Sequence, residues 1–327
     1  MSLIPLPFQH HRRVWPELGA HPLRSRPISP EATDTTPNGV VLVGGNRGLR
    51  EEAASHLGTA ARVITQVDHA NQLTDVIVTR TPLRTLAGTA VVLITEPFLP
   101  GFATRLQRRR RTYSLLEEYC SLATAAHDLG ADRLVVCSSA FLYADDGGRP
   151  LLVSSPIDLG AETVGAHAAE EAGRLFTSLG GCSVILRLGW VFGDHDPMTA
   201  KVVSAAQKGW QLIEGRPSSW VAAIASTDAA RAIHAAFTAP PGTYNVSDGR
   251  PVTQGAIHAV LEQARGTVLH PLYDASWGES GTLFGASHLV ADDHFGEVTG
   301  WQPTGTDLCH YLFMRVRQRN RSRDRLR

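Results

Sequence analysis

The sequence predicts an α/β fold, a doubly wound parallel sheet followed by a smaller C-terminal lobe. Three observations carry this. Between residues 39 and 188, short and nearly continuous apolar runs alternate with helical stretches, the pattern of parallel strands buried on both faces. A glycine-bearing turn, Gly44-Gly45-Asn46-Arg47-Gly48-Leu49, follows the first apolar run and opens a helix. Beyond Gly193 the alternation loosens into a mixed pattern.

Residues 1–38 are rich in Pro, His and Arg without periodicity and read as an irregular N-terminal arm. Their opening, MSLIPLPFQHHRR, has two prolines and no sustained apolar stretch, so it does not read as a secretory signal. Val40–Val43 is a β-branched strand, and Arg50–Leu57 a helix. Arg62–Val67, Val76–Thr79 and Ala90–Thr95 read as the next strands. The run Arg108–Arg111 is expected to precede a long helix spanning Tyr113–Leu129. Strand Arg133–Cys137, helix Gly165–Leu179 and strand Ser183–Leu188 continue the alternation. Later, Asp228–Phe237 is an amphipathic helix and Ala256–Ala264 another. The expected division is a dinucleotide-binding domain over 39–190 and a mainly substrate-binding lobe over 191–313, with a segment near 222–240 returning to the first domain. From Arg315 the chain carries seven arginines in thirteen residues; the stretch 314–327 reads as a solvated tail.

Composition narrows the function. Of 327 residues, 31 are basic and 31 acidic, giving a formal net charge of zero. A general nucleic-acid or membrane-surface binder would show a basic excess. Cys120, Cys137, Cys182 and Cys309 lie far apart without a Cys-x-x-Cys pair. That argues against a zinc site or a disulfide framework and fits a cytoplasmic protein. No apolar run reaches the roughly 18 residues that a membrane span requires.

The turn carries the first chemistry. Glycines between a strand and a helix let backbone amides approach a pyrophosphate at the helix N-terminus. Where a third glycine would permit close helix–strand packing, Glu51 stands, an acid expected to weaken cofactor binding or shift the helix. Asp68 follows the second strand, twenty residues after Gly48, where an acid takes the ribose hydroxyls of NAD(H). Arg47 inside the turn can instead pair with the 2′-phosphate of NADP(H). The arginine tilts the expectation towards NADP(H).

Four stretches together resemble the extended short-chain dehydrogenase/reductase family, in its NAD-dependent epimerase/dehydratase branch. GGNRGL stands where that family has Thr-Gly-x-x-Gly-x-x-Gly. Arg133–Tyr143 (RLVVCSSAFLY) resembles its strand ending in paired serines and a tyrosine, and Ile185–Gly193 (ILRLGWVFG) its Leu-Arg-x-Gly-x-Val-Tyr-Gly segment. Thr227–Phe237, Gly242–Asp248 and Phe295–Thr304 resemble its distal signatures. The resemblance spans residues 39–313 and implies a Rossmann domain, a substrate lobe and a nicotinamide cofactor across the strand ends. The cofactor positions it implies are Gly45, Asn46, Arg47, Gly48, Leu49, Asp68, Thr95, Ser138, Leu188 and Gly189.

The departures are equally informative. The family's chemistry rests on a Tyr-x-x-x-Lys pair, in which the tyrosine trades a proton with the substrate oxygen. Here the corresponding stretch reads Glu162-Thr163-Val164-Gly165-Ala166-His167-Ala168. Depending on register the pair becomes Thr163/His167 or Val164/Ala168. Ser139 survives as the group that would hydrogen-bond a substrate carbonyl. The Asp-Glu pair of the family's dehydratases is replaced by Ala140 and Phe141. His167 is a further proton-transfer candidate, though a surface or packing histidine is the favoured reading. Asp194-His195-Asp196 reads as a polar loop rather than a metal site.

Hydride transfer needs proximity and a polarised carbonyl, and proton delivery is a separate requirement. A general acid contributes about 10²–10⁴-fold, so its loss slows a reductase without abolishing it. The expectation is therefore a ketoreductase acting on a large aromatic ketone of the polyketide type, with the proton supplied by substrate or solvent. Trp190, Trp210, Trp220, Phe141 and Phe192 either line its pocket or belong to the core. A dinucleotide-binding sensor or scaffold without chemistry, and a sugar-nucleotide epimerase, are the alternatives.

Overall fold

The computed structural model describes residues 37–45, 47–58, 63–67, 86–95, 105–159, 163–212, 216–271, 285–291 and 294–324. Nearly all of the N-terminal arm, the expected strand Val76–Thr79, and the site candidates Asn46 and Asp68 lie outside the described residues.

Strand β1 (Gly39–Gly44) leads into helix α1 (Arg47–Leu57), then β2 (Val63–Val67) and β3 (Thr89–Ile94). Helix α2 (Arg105–Asp128), β4 (Arg133–Ser139), α3 (Val164–Ser178) and β5 (Cys182–Leu188) follow. With β10 (Gly242–Val246) these strands make a six-stranded sheet in the order β10-β5-β4-β3-β1-β2. Every pairing in it is parallel.

The alternation of side chains explains why the strands read as unbroken apolar runs. Val40 and Leu42 of β1, with Ala90, Val92 and Ile94 of β3, pack beneath Leu49, Ala53 and Leu57 of α1 and Ile233 of α5 (Ser226–Ala235). Val41 and Val43, with Val91 and Leu93, face the other way, onto Leu122 and Ala126 of α2 and Ala168, Ala172 and Phe176 of α3. All six residues of β1 and of β3 are buried. Each fully buried Val, Leu or Ile contributes about 1.5–3 kcal/mol, so both faces must be apolar. The expected doubly wound sheet is the observed one.

Two helices begin earlier than their apolar periodicity. α2 starts at Arg105, so Arg108–Arg111 lies inside the helix rather than ahead of it. Arginine is a good helix former, and a run of arginines carries no apolar periodicity. α1 starts at Arg47, within the turn sequence itself.

The C-terminal residues form a second core. α4 (Pro197–Lys208), α6 (Gln254–Arg265) and α8 (Leu308–Asp324) enclose it. Val202 and Ala206, Ile257 and Leu261, and Leu308, Leu312 and Val316 meet there with Phe192 of β6 (Trp190–Phe192). The spacing of Leu308, Leu312 and Val316 is one helical face, so α8 runs on into the arginine-rich stretch. β6 pairs with β9 (Ala223–Ala225), antiparallel β8 (Trp220–Val221) and β11 (Val252–Thr253) pair nearby, and β7 (Trp210–Gln211) pairs with β12 (His270–Pro271). α7 (Phe295–Thr299) packs back on the main sheet, where Phe295 meets Tyr244 and Trp301.

Candidate active site

β1, β3, β4 and β5 end together, and the strand-to-helix turns leave from that edge. This is where open α/β sheets form their crevice. Gly44 closes β1 with φ +126°, and a Cβ there would stand 1.8 Å from the carbonyl oxygen of Ile94. Only glycine fits, for the next strand passes directly beneath the turn. Gly48 is bare for a second reason. A Cβ on it would lie 2.6 Å from the carbonyl oxygen of His195, so the 193–196 loop rests on the start of α1.

Arg47 and Glu51 settle against each other. Arg47 Nε donates to Glu51 Oε1 at 2.6 Å with both side chains largely in solvent, and this bond holds the Glu51 carboxyl below its usual range. Glu51 is thus paired at the surface of α1. Arg47 would have to leave it to reach a 2′-phosphate. Arg50 was not expected in the site. It is buried, and its guanidinium donates to the carbonyl oxygen of Gly44, so a positive charge stands under the turn. A basic residue on the inward face of α1 was the available signal.

Beside the turn, an open cleft is lined by Leu49, Thr95, Ser138, Ser139, Leu188 and Gly189, with Cys137, Phe141, Trp190, Val191 and Asp196. Six positions expected from separate stretches of sequence thus share one hollow. Gly45, Arg47 and Gly48 lie in the turn outside this lining.

Neighbouring side chains in the cleft do different work. Thr95 Oγ1 donates to the carbonyl oxygen of Cys137 at 2.8 Å, stitching the end of β3 to β4. Ser138 Oγ donates to Glu170 Oε1 at 2.7 Å. Glu170, fully buried on α3, also receives Arg187 Nε at 2.8 Å and Nη2 at 2.9 Å. Ser139 caps the 3-10 turn Ala140–Leu142, its Oγ accepting from the Phe141 N–H at 3.2 Å. That bond uses a lone pair and leaves the Ser139 O–H without an acceptor among the described residues, ready for a carbonyl oxygen.

Thr163 and His167 stand at the start of α3. Thr163 Oγ1 donates to the carbonyl oxygen of Asp158 at 3.0 Å just before α3. His167 faces Glu171 at 3.7 Å, and burial lowers its pKa. Neither lines the cleft, nor does any tyrosine or lysine among the described residues. Tyr143 is committed elsewhere: its O–H donates to Asn245 Oδ1 at 2.6 Å, and the Arg187 guanidinium lies 4.9 Å from its ring centroid.

Of the five aromatic candidates, Phe141 and Trp190 line the cleft. Phe192 is core of the C-terminal lobe. Trp220 belongs to β8, and Trp210 is 41% exposed beside His270.

The loop 194–196 is held from three sides. Asp194 accepts from the Tyr311 hydroxyl and pairs with Arg315 at 3.3 Å, both on α8. His195 covers Gly48. Asp196 caps α4: its Oδ2 accepts from Thr199 N at 2.7 Å, Thr199 Oγ1 at 2.6 Å and Trp190 Nε1 at 3.4 Å. Burial raises the Asp196 pKa against the opposing pull of the Thr199 bonds. Among the described residues no group of His, Cys, Asp or Glu could hold a metal ion.

The distal signatures prove to be a clamp. Asp228 is buried and accepts from Thr304 N at 3.1 Å, Gly305 N at 2.8 Å and Arg231 Nη1 at 2.9 Å. Trp301 Nε1 donates to the Asp228 carbonyl oxygen at 3.3 Å.

Solved structures share this architecture. A human epimerase family protein with NADPH superposes with a TM-score of 0.67 at 17% identity, over 85% of this chain and 99% of that one. The UDP-glucose 4-epimerase of Thermotoga maritima with UDP-glucose gives 0.66 at 14%, over 86% and 99%. A Bordetella bronchiseptica enzyme in complex with NAD and UDP gives 0.60 at 14%, over 86% and 95%. The chain has the epimerase fold. No family model and no curated protein matches the sequence. No helix among the described residues is long and apolar enough to cross a membrane.

Proposed function

We propose that this chain is a nicotinamide-dinucleotide-dependent ketoreductase whose substrate is a large aromatic ketone of the polyketide type. The observation that carries the reading is the cleft. It gathers Leu49, Thr95, Ser138, Ser139, Leu188 and Gly189 over the ends of four parallel strands, with Phe141 and Trp190 as aromatic walls and no tyrosine or lysine among its described lining. In lacking that pair while keeping the serine, the chain resembles the atypical ketoreductase of simocyclinone biosynthesis.

The residues present fit a dinucleotide. Gly45 and Gly48 at the start of α1 would hold the pyrophosphate, with the buried guanidinium of Arg50 beneath the turn favouring its charge. Thr95, Ser138, Leu188 and Gly189 would flank the nicotinamide. Arg47 favours NADP(H), on exchanging Glu51 for a phosphate. When bound, the reduced nicotinamide supplies the hydride. Ser139 does the rest of the binding work at the carbonyl: its O–H donates to the ketone oxygen, and the Phe141 N–H fixes the hydroxyl's orientation. Such a preset donor acts on charge as it develops.

The structural neighbours favour a second reading, a sugar-nucleotide epimerase, since one of them holds UDP-glucose. Epimerisation needs protein acid–base groups in both directions, whereas a reduction whose proton comes from substrate or solvent needs no such pair. The test is to incubate the full chain with NADPH or NADH and a panel of quinone and angucyclinone ketones, following loss of the reduced-nicotinamide absorbance. UDP-glucose and UDP-N-acetylglucosamine run in parallel for epimerised product. Ketone-dependent oxidation of NADPH supports the proposal. Epimerised sugar with no oxidation of cofactor refutes it.

A further inference from the structure

We infer that Asp196 carries the proton that the missing tyrosine would have donated, making it the general acid of the cleft. The inference rests on the reductase reading above and adds a residue that neither the sequence motifs nor the neighbouring structures assign.

Three observations converge. Asp196 lines the same cleft as Ser139, Thr95 and Gly189, so its carboxyl and the Ser139 hydroxyl share one hollow. Its side chain is 6% exposed, in a place with little water to stabilise a charge. Its hydrogen bonds are lopsided. Thr199 N, Thr199 Oγ1 and Trp190 Nε1 all donate to Oδ2, which leaves Oδ1 as the oxygen to meet a ligand. These donors and the Met198 N–H favour the charged form, but burial outweighs them and the net effect raises the pKa of the carboxyl.

The surrounding charges permit it. Tyr311 on α8 faces the loop with its hydroxyl donated to Asp194, and its own pKa is raised by burial first and by Asp194 and Asp196 further. Arg315 neutralises Asp194 from the same helix. His195 lies between, its backbone on Gly48. Arg315 of α8 is therefore spent on Asp194, and Trp190, Thr199 and the Met198 N–H are neutral donors to Asp196.

The step balances simply. A bound reduced nicotinamide would supply the hydride, whose two electrons would make the C–H bond at the carbonyl carbon; the C=O π pair would move to oxygen, and Asp196 Oδ1–H would pass its proton to that oxygen. The ketone is reduced to the alcohol and the dinucleotide oxidised; the Asp196 carboxylate is then reprotonated by water. Such an acid is worth about 10²–10⁴-fold.

Asp196→Asn is the decisive variant, because asparagine caps a helix as well as aspartate; an unchanged urea midpoint verifies that α4 is kept. The first readout is infrared difference spectroscopy of the full chain without substrate. At pH 5 the wild type should show a protonated-carboxyl C=O band that Asp196→Asn lacks; identical spectra overturn the inference, whatever the enzyme does with ketones. The second is turnover. Wild-type kcat should fall as pH rises through the Asp196 titration, whereas Asp196→Asn should be about 10²–10⁴-fold slower and flat over that range. A variant with wild-type kcat and pH profile overturns the role. Calorimetric titration with NADPH separates the two proposals: equal affinity in both proteins keeps the reductase reading, while no binding by the wild type defeats that reading and leaves the infrared result to judge Asp196.

Discussion

Replacing Glu170 by glutamine should be among the most damaging conservative changes in this chain. Glu170 is 0% and Arg187 7% exposed at their side chains, and the two make a two-pronged pair at 2.8 and 2.9 Å. Burial acts to lower the Arg187 pKa, but the hydrogen bonds and charge of Glu170 outweigh it, and the guanidinium is held firmly charged. Glutamine keeps the volume and one acceptor oxygen while removing the countercharge. An uncompensated buried charge costs about 3–5 kcal/mol, a large part of a total stability of about 5–15 kcal/mol. With an m-value near 3 kcal/mol/M in urea, the midpoint should fall by about 1–2 M. The matched control is Glu170→Leu with Arg187→Met. Removing both charges should return most of the loss, leaving about 1–3 kcal/mol for the hydroxyl of Ser138 and the carbonyl of Val153, which lose their partners. Equilibrium urea unfolding followed by tryptophan fluorescence measures all of these. If Glu170→Gln costs less than about 1 kcal/mol, or the double variant loses as much as the two singles together, then the pair is not an uncompensated-charge problem and the reasoning fails.

His288 should make the protein acid-sensitive. Burial lowers its pKa from the usual 6.5 to about 4, only partly opposed by the Tyr143 carbonyl and Asp145. The unfolded chain therefore binds the proton first, and stability drops as pH falls from about 6.5 towards 4, by up to roughly 3 kcal/mol. Asp248, pushed up to about 6 by burial, tilts stability the opposite way, so the urea midpoint of His288→Leu against wild type across this range isolates the histidine; parallel curves would contradict the assignment. Gly44→Ala should cost at least about 3 kcal/mol, since its Cβ meets the Ile94 carbonyl at 1.8 Å in a left-handed backbone; a wild-type urea midpoint would disprove the close approach. Ser138→Ala and Ser139→Ala should separate: the first loses about 1.5–3 kcal/mol of stability with the bond to Glu170, while the second loses about 10²–10³ in kcat with little change in unfolding. Equal effects of the two on kcat would refute the division of labour.

Much of this was legible in residue pattern because the sheet is buried on both faces. β1 and β3 each read as an unbroken apolar run, and each proves to feed two cores through alternate side chains. The cleft was legible for the same reason: its residues follow the last positions of those strands, so strand ends predict neighbours. What stayed hidden depends on distant contacts. Nothing local in Asp194-His195-Asp196 says that Tyr311 and Arg315 grip its first residue or that its second covers Gly48. The start of α2 was hidden by arginines that favour helix without marking a buried face. Arg50 reads as a surface residue by type and is buried by position.

The resemblance to the extended reductases turns out to mark scaffold more than chemistry. Tyr143 bonds Asn245, Arg187 bonds Glu170, and Asp228 binds the Thr304–Gly305 turn; each joins segments far apart in sequence, and none needs a cofactor. The Tyr-x-x-x-Lys position belongs to a different class of constraint. α3 is anchored by Glu170, bonded to Arg187 of β5, and by apolar Ala168, Ala172 and Phe176 in the core, so side chains at its N-terminal turn can change without loosening it. Strand geometry makes the same separation within β4. Ser138 and Ser139 point to opposite sides, one into the Glu170 network and the other to the free end of the strand. A chain built this way can vary the first turn of α3 and keep its fold. On the proposed reductase reading, the buried carboxyl of the same cleft, Asp196, is then the acid within the protein that can serve a ketone bound at Ser139.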